Sequence, residues 1–271
     1  MGIKENIIEV MQKLEYKPML REQLASHFHI DKDQYKEFFK VLEQMEKEGS
    51  ILRTKKNAYG IPEKMNLIVG TLQGHHRGYG FLIPDDRELN DVFISAQDLN
   101  GALHGDRVIV RPTLENTSGK RQEGEVIRIL EHANKTIIGI YESSRNFGFV
   151  IPTDTRISMD VFISKSDVNG ANNGDVVEVT ITRWPEKRRN PEGKITDVIG
   201  HKDDTGTDIQ AIIKQHGLPE EFPYEVIMES EEIPDEIPQE EIERRIDLRE
   251  QTIVTIDGPD AKDFDDAISI E

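Results

Sequence analysis

RGYGFLIP (residues 77–84), followed by DVFIS (91–95) and LNGALHGDRVIV (99–110), occurs twice in this chain. The second copy reads RNFGFVIP (145–152), DVFIS (160–164) and VNGANNGDVVEV (168–179), at a spacing of 68 residues for the first segment and 69 for the others. Such a repeat indicates two similar structural units. Short alternating segments separated by Gly, Asn and Asp turns are typical of small antiparallel barrels. The repeat therefore predicts two β-barrels, with one residue inserted between the first two segments of the second copy.

Alternation along each strand divides the side chains of a barrel between two faces. Tyr79 and Phe81 share one face, and Phe93 lies opposite to its neighbours Val92 and Ile94. We expect aliphatic residues to fill the two cores, namely Leu82, Ile83, Val92, Ile94, Val150, Ile151, Val161 and Ile163. The aromatic rings would then form an outward-facing platform on each barrel. The alternative is that the rings are simply part of the cores.

An aromatic platform beside basic side chains suits unstacked bases, because one base–ring stack contributes about 1–3 kcal/mol with little sequence preference. A basic tract, RWPEKRRNPEGK (183–194), could follow the phosphates, although it could also be a solubilising loop. We predict that single-stranded RNA binds through the rings and the cations around them: Arg77, Tyr79, Phe81, Phe93, Arg145, Phe147, Phe149, Phe162, Lys165 and Arg188.

The 271-residue chain contains no cysteine and has a formal net charge of -18. Its length suggests about two domains or several smaller modules. Residues 201–271 hold 6 Lys and Arg against 22 Asp and Glu, whereas residues 63–200 hold 17 and 20, and residues 1–62 hold 11 and 10. The acidity of the whole chain thus does not exclude a polyanion-binding surface in its middle. The absence of cysteine and of any long apolar run fits a cytoplasmic location.

Apolar residues at helical spacing predict three short helices within the first sixty residues. SILRTKKNAYGI (50–61) then predicts a two-stranded wing, so this part reads as a winged helix-turn-helix. The third helix carries lysines at 32, 36, 40 and 47, but five acidic residues offset them, at 33, 37, 43, 46 and 48. Binding in a DNA groove depends on net phosphate neutralisation. We therefore favour an accessory role in contacting RNA, or in docking to a protein or the ribosome.

TIDGPDAKDFDDAISIE (255–271) contains five aspartates, four of which we single out as a cluster: Asp257, Asp263, Asp265 and Asp266. Residues 252–257 have the β-branched pattern of a strand that would deliver Asp257 at its end, and Gly258 and Pro259 begin a loop. Carboxylates are the ligands that Mg²⁺ prefers, so the cluster is a candidate metal site. The pattern does not match an EF-hand calcium loop. A solvated acidic turn is the alternative.

Both repeated units resemble a known kind of RNA-binding domain. RGYGFL and RNFGFV, each followed by DVFIS, are similar to the two RNA-binding motifs of cold-shock domains, which are five-stranded OB-fold barrels. Ser95 and Ser164 stand where cold-shock proteins usually carry His, so we expect each barrel to have lost one stacking surface and to bind weakly alone.

With a winged helix before the barrels and TIDGPDAKDFDDA after them, the whole chain resembles the N-terminal portion of the bacterial ribonuclease R branch of the ribonuclease II (RNB) exoribonuclease family. The resemblance implies an α+β multidomain chain. Its parts would be a winged helix-turn-helix (1–62), a first cold-shock domain (63–132), a second cold-shock domain (133–200), and a linker with the incomplete start of an α/β RNB catalytic domain (201–271).

The same resemblance implies processive 3′-to-5′ hydrolysis of RNA to nucleoside 5′-monophosphates, with Mg²⁺ as cofactor. The four aspartates match the acidic residues of that family, with Asp257 and Asp266 expected as direct ligands and Asp265 as the catalytic group. Because most of the catalytic domain is missing, we expect this chain alone to bind RNA without cleaving it. Its partner would be single-stranded RNA or RNA with a single-stranded 3′ end.

Two other functions remain open at this point. The chain could be a stand-alone tandem cold-shock module that acts as an RNA chaperone, in which case RNA affinity should survive deletion of residues 201–271. It could also be a winged-helix regulator, in which case duplex DNA binding should depend on Arg53, Lys55 and Lys56.

Overall fold

A computed structural model describes residues 2–114, 122–186, 189–264 and 267–269. The chain divides into two compact units, Met1–Leu218 and Pro219–Glu271. The first unit contains an N-terminal helical part and both barrels, and the second contains the aspartate-rich segment.

The N-terminal part contains three helices and a small sheet. The helices are α1 (Ile3–Gln12), α2 (Arg21–His27) and α3 (Tyr35–Lys47), and the strands are β1 (Met19–Leu20), β2 (Leu52–Arg53) and β3 (Ala58–Gly60), in the order β1-β3-β2. Ile7, Leu24 and Leu42, one from each helix, are fully buried in one core cluster. Gly49, with a φ of +77°, follows α3 and lets the chain turn toward β2. The predicted helices and hairpin are therefore present, with β1 added to the sheet.

Each repeat forms a closed five-stranded barrel, as predicted. The first barrel comprises β4 (Ile68–Gly74), β5 (Gly80–Pro84), β6 (Val92–Ile94), β7 (Arg107–Leu114) and β8 (Glu123–Glu131), in the order β4-β5-β6-β8-β7. The second comprises β9 (Thr136–Ser143), β10 (Phe147–Pro152), β11 (Val161–Ser164), β12 (Asp175–Arg183) and β13 (Glu192–His201), with the same connectivity. The β6–β8 and β11–β13 pairs are parallel, and the other pairs are antiparallel.

The two cores follow the predicted alternation with one correction. Leu82, Val92 and Ile94 are fully buried in the first barrel, and their counterparts Val150, Val161 and Ile163 are fully buried in the second. The expectation that Ile83 and Ile151 also lie in the cores is wrong, because both are 38% exposed. Each follows a buried residue on a regular strand, so its side chain must point to the outer face.

Buried turns repeat with the barrels. Asp106 is fully buried and accepts a hydrogen bond from the backbone N–H of Leu103 (2.9 Å). Asp175 accepts the equivalent bond from Asn172 (2.7 Å). A carboxylate that accepts backbone donors in this way satisfies polar groups that burial would otherwise leave unpaired. These aspartates hold the turn that enters β7 and β12.

Strand pairing shows in which loops the two copies of the repeat differ in length. Gly74 pairs with Gly80 in the first barrel, whereas Ser143 pairs with Gly148 in the second. Gly74 and Ser143 are therefore equivalent at a spacing of 69 residues, as are the residues that follow DVFIS. The loop before the second strand is one residue shorter in the second barrel than in the first, and the loop after that strand is one residue longer. The sequence predicts only the insertion, and the structure shows that a deletion in the preceding loop compensates for it.

Within the first unit, side-chain contacts connect the N-terminal part to the first barrel. The guanidinium of Arg107 donates to the backbone carbonyl of Glu48 at the end of α3 (3.1 Å) and pairs with Asp85 (2.6 Å). Arg128 of β8 pairs with Glu46 of α3 (3.0 Å). The C-terminal end of α3 therefore contacts the first barrel through hydrogen bonds and ion pairs.

The two barrels also pack against each other within this unit. Leu103, from the first barrel, belongs to the core cluster of the second. His132, between the barrels, stacks on Trp184 with ring centroids 3.6 Å apart and planes 7° apart. A side chain at Gly101 would collide with the carbonyl oxygen of Pro185, which indicates close backbone approach.

One helix of the predicted final segment lies on the second barrel. Helix α4 (Thr207–Gln215) buries Ala211 against Ile138 and Val176, and Lys214 pairs with Asp197 of β13 (3.0 Å). The first compact unit thus continues to Leu218, beyond the start of the final segment that the sequence placed at residue 201.

The second unit contains α5 (Tyr224–Glu232), α6 (Gln239–Arg244) and the antiparallel pair β14 (Ile253–Thr255) and β15 (Ala267–Ser269). Ile256 and Phe264, which lie between the two strands, are 83% and 66% exposed. No helix in the described part of the chain is both long enough and apolar enough to cross a membrane.

Candidate nucleic-acid interface

Three aromatic rings form a cluster on the first barrel. Phe81 of β5 lies directly across from Phe93 of β6, with ring centroids 5.8 Å apart. Tyr79, just before β5, lies 5.4 Å from Phe93 and 5.7 Å from Phe81. All three are partly exposed, whereas the alternate residues Leu82 and Val92 are fully buried. The rings therefore cover the outer side of the strands.

The second barrel repeats this cluster. Phe149 of β10 lies across from Phe162 of β11, again with centroids 5.8 Å apart. Phe147 lies 5.6 Å from Phe149 and 5.8 Å from Phe162. Phe147 is 40% exposed. We call these clusters the first triad (Tyr79, Phe81 and Phe93) and the second triad (Phe147, Phe149 and Phe162).

Three of the four predicted cations lie in the described part of the chain, beside the triads in sequence. Arg77 and Arg145 lie in the loops that lead to Tyr79 and Phe147, and Lys165 follows β11 directly; all three are exposed. Arg188 lies outside the described residues. Of the described part of the basic tract, Arg183 pairs with Glu192 (2.9 Å).

Acidic side chains border the second triad. Glu142 of β9 is the direct cross-strand partner of Phe149. Partial burial, and then the charge of Glu142, raise the pKa of the Asp160 carboxyl above its ordinary value. The first barrel has the neutral Gln73 opposite Phe81 in the same register. The second triad is therefore the less favourable of the two for a phosphate backbone.

The serines that replace the usual His of cold-shock domains have a structural role. The hydroxyl of Ser95 donates to the carboxylate of Asp98 (2.5 Å), and the hydroxyl of Ser164 donates to that of Asp167. Each bond closes the turn that follows β6 or β11. These side chains are held by the turn rather than offered to a ligand.

The first loop of barrel 1 carries aromatic residues that the sequence reasoning missed. His75 is stacked on Tyr79, with centroids 4.3 Å apart and planes 10° apart, and His76 lies 4.1 Å from His75. The backbone N–H of Arg77 donates to Nδ1 of His75 (3.3 Å). Partial burial, and then the neighbouring charges of His76 and Arg77, lower the pKa of His75. Comparing the two loop lengths in the repeat would have drawn attention to these residues.

The predicted metal site can be described only in part. Asp257 follows β14 and Asp263 lies in the connection to β15, while Asp265 and Asp266 lie outside the described residues. Among residues that the structure describes, no three His, Asp or Glu side chains are grouped so as to hold a metal ion. The ligand set proposed from the sequence therefore stays a prediction.

Comparisons with known proteins agree with this architecture. Residues 70–129 match the family described as Ribonuclease B OB domain, and residues 149–223 match the family described as Cold shock domain. Ribonuclease R of Escherichia coli is 36% identical over 269 residues, which cover 99% of this chain and 33% of that protein. Ribonuclease R of Thermotoga maritima is 37% identical over 274 residues, which cover 99% and 38%. Over nearly its whole length the chain is thus similar to ribonuclease R.

A solved structure of a ribonuclease R supports the same fold. The chain is similar to Mycoplasma genitalium RNase R in complex with ribose methylated single-stranded RNA, with a TM-score of 0.63 and 21% identity over 74% of this chain and 32% of that one. At this identity the likeness concerns the fold. The chain spans about a third of the length of these ribonuclease R relatives.

Proposed function

We propose that this chain is the RNA-binding part of a Mg²⁺-dependent, processive exoribonuclease that degrades RNA from 3′ to 5′ to nucleoside 5′-monophosphates. The observation that carries the RNA-binding role is the repeated triad. Two clusters of three rings, with nearly equal spacings, lie on the outer sides of two barrels of the same topology. The ribonuclease R relatives along 99% of the chain support the nuclease role of the longer protein.

The triads bind RNA by stacking unpaired bases. Each ring offers an apolar surface of a size that matches a base, and a stack contributes about 1–3 kcal/mol whatever the base. Arg77, Arg145 and Lys165, with Arg188 of the basic tract, neutralise phosphates between stacked bases. Stacking requires unpaired bases, so the ligand is single-stranded RNA or RNA with a single-stranded 3′ end. The N-terminal helical part adds an RNA contact or docks to a protein or the ribosome in the cytoplasm.

The aspartate segment contributes acidic residues to the nuclease centre of the longer protein. Asp257, Asp263, Asp265 and Asp266 supply the hard carboxylate oxygens that Mg²⁺ prefers, with Asp265 as the catalytic group. Bound Mg²⁺ would polarise the scissile phosphate and lower the pKa of an attacking water. In this chain every residue of the described strands of the segment is exposed, so these strands do not supply an enclosed site. We therefore propose that the chain alone binds RNA but does not cleave it.

The test is to measure binding and cleavage with the same purified chain. We expect it to bind a fluorescent oligouridylate more tightly than duplex DNA of equal length, and to release no mononucleotides in Mg²⁺. Preferential binding to duplex DNA that is lost on Lys55→Ala would instead support a winged-helix regulator. Release of mononucleotides that is abolished by Asp265→Asn would show that the chain is a complete nuclease.

A further inference from the structure

The loop between β4 and β5 differs from its counterpart in the second barrel by one residue. The backbone N–H of His75 donates to the carbonyl of Tyr79 (2.9 Å), and that of Ser144 donates to the carbonyl of Phe147 (2.8 Å). The same closing bond therefore spans five residues in the first barrel and four in the second. His75 takes the place of Ser144, and the added residue falls within the stretch that contains His76.

This longer loop builds a column of three rings. Tyr79 and His75 are nearly parallel at 4.3 Å, and His76 continues the column at 4.1 Å with a tilt of 33°. His75 is half-buried between its neighbours, while His76 is exposed. Since His75 covers a face of Tyr79, a base that approaches along the column meets His76 first. The second barrel carries Ser144 at the position of His75, and its loop lacks the added residue.

The loop is also held in place, which reduces the entropy that a ligand would have to remove. Gly78, with a φ of +86°, donates its N–H to the carbonyl of His75 (2.8 Å). The Arg77 N–H donates to Nδ1 of His75, which leaves Nε2 to carry the imidazole proton. A side chain at Gly78 would lie 4.0 Å from the hydroxyl of Ser158 in the second barrel, so the loop tip lies at the junction of the barrels.

We propose that His76, supported by His75 and Tyr79, is an additional base-stacking position that only the first barrel has. This inference rests on the proposed RNA-binding function and adds a nucleotide contact to it. The loop that carries the column has its tip at the junction of the barrels, where an RNA strand must pass if it is to reach both triads. The ligand at this position is an unpaired nucleobase, stacked on the imidazole ring.

The experiment compares three substitutions of one residue in the full chain, with fluorescein-labelled oligouridylate as the probe. We expect His76→Ala to weaken binding about five- to tenfold, at the lower end of the range for one stack. His76→Phe keeps a ring and should retain affinity near that of the unchanged chain. His76→Lys introduces a positive charge without a ring and should bind as weakly as His76→Ala. Ser144→Ala, at the loop position equivalent to His75, is the matched control and should have no effect.

Two results would overturn the inference. If His76→Lys retains affinity and His76→Phe loses it, the residue contacts phosphate and no base stacks on it. If none of the His76 variants changes affinity while Phe147→Ala does, the column is not part of the RNA site although the triads are. If neither the His76 variants nor Phe147→Ala lose affinity, the proposed RNA-binding function itself is wrong. Thermal unfolding of each variant verifies that the fold is retained.

Discussion

Substitution of Phe147 by Ala tests most directly whether the triads bind RNA. Phe147 is the outermost ring of the second triad, at 40% exposure, and it lies 5.6 Å from Phe149 and 5.8 Å from Phe162. Its removal leaves the cross-strand pair of Phe149 and Phe162 in place. One of three stacking surfaces is lost, and the affinity for single-stranded RNA should fall by about 1–3 kcal/mol, or roughly 5- to 150-fold.

The cost to folding can be separated from the cost to binding. Full burial of a large apolar side chain stabilises a protein by about 1.5–3 kcal/mol, so a ring that remains 40% exposed contributes about 1–2 kcal/mol. Ile151 lies on the same strand, β10, with a nearly equal exposure of 38%. Ile151→Ala should therefore reduce the free energy of unfolding by a similar amount, but it removes no aromatic surface.

Fluorescence anisotropy with an oligouridylate of about 20 nucleotides, long enough for both barrels, measures the affinity. Thermal unfolding measures stability on the same samples. We expect Phe147→Ala to weaken binding and Ile151→Ala to leave it nearly unchanged. Equal loss of affinity in both variants would refute the reasoning, since binding would then depend on the integrity of the barrel and not on the ring. Unchanged affinity in Phe147→Ala would refute it as well.

Two further substitutions use differences between the barrels. Glu142→Gln removes an acidic neighbour of Phe149 and should raise RNA affinity a few-fold at low salt, with the gain shrinking as salt increases; a gain that is independent of salt would contradict an electrostatic cause. Burial, and then the charge of Arg156, lower the pKa of His104, whose Nδ1 accepts the N–H of Gly74 (3.2 Å). The unfolded chain thus binds a proton more readily at this position. The contribution of His104 to the free energy of unfolding is therefore fully present above about pH 6.5 and declines as the pH falls toward the lowered pKa. His104→Asn should make the free energy of unfolding less dependent on pH between about 7 and 5 in chemical denaturation; an unchanged pH dependence would contradict the assignment.

Much of the fold follows from the repeat, because turn residues and alternation are local properties of the sequence. Gly, Asn and Asp at the turns and apolar residues at every second position predicted both barrels, including the buried Leu82 and Val92. At Ile83 the two sequence signals disagree, because hydrophobicity predicts a core position and alternation predicts the outer face. Ile83 lies on the outer face because a regular strand cannot turn two successive side chains inward.

The parts of the site that depend on register could not be predicted. The stack of His75 on Tyr79 requires the loop to close back on itself, and the acidic neighbour of Phe149 is set by the pairing of β9 with β10. Neither contact can be inferred from the spacing of residues along the sequence. The grouping of the four aspartates is a different case, since Asp265 and Asp266 lie outside the described residues and their geometry stays a prediction.

The buried framework and the outer surface of the barrels are under different constraints. Gly74 donates its N–H to His104, and Ser143 donates its N–H to Asn173 (3.0 Å), so an acceptor is kept at the same place although the residue type changes. This equivalence, at a spacing of 69 residues, is why Asn is the appropriate replacement for His104. Both barrels have the acceptor, whereas the ring that supplies it is present in the first barrel and replaced by an amide in the second. Substitutions that respect the framework can therefore change the ligand-facing side of one barrel, such as its first loop, without altering the fold that the two barrels share.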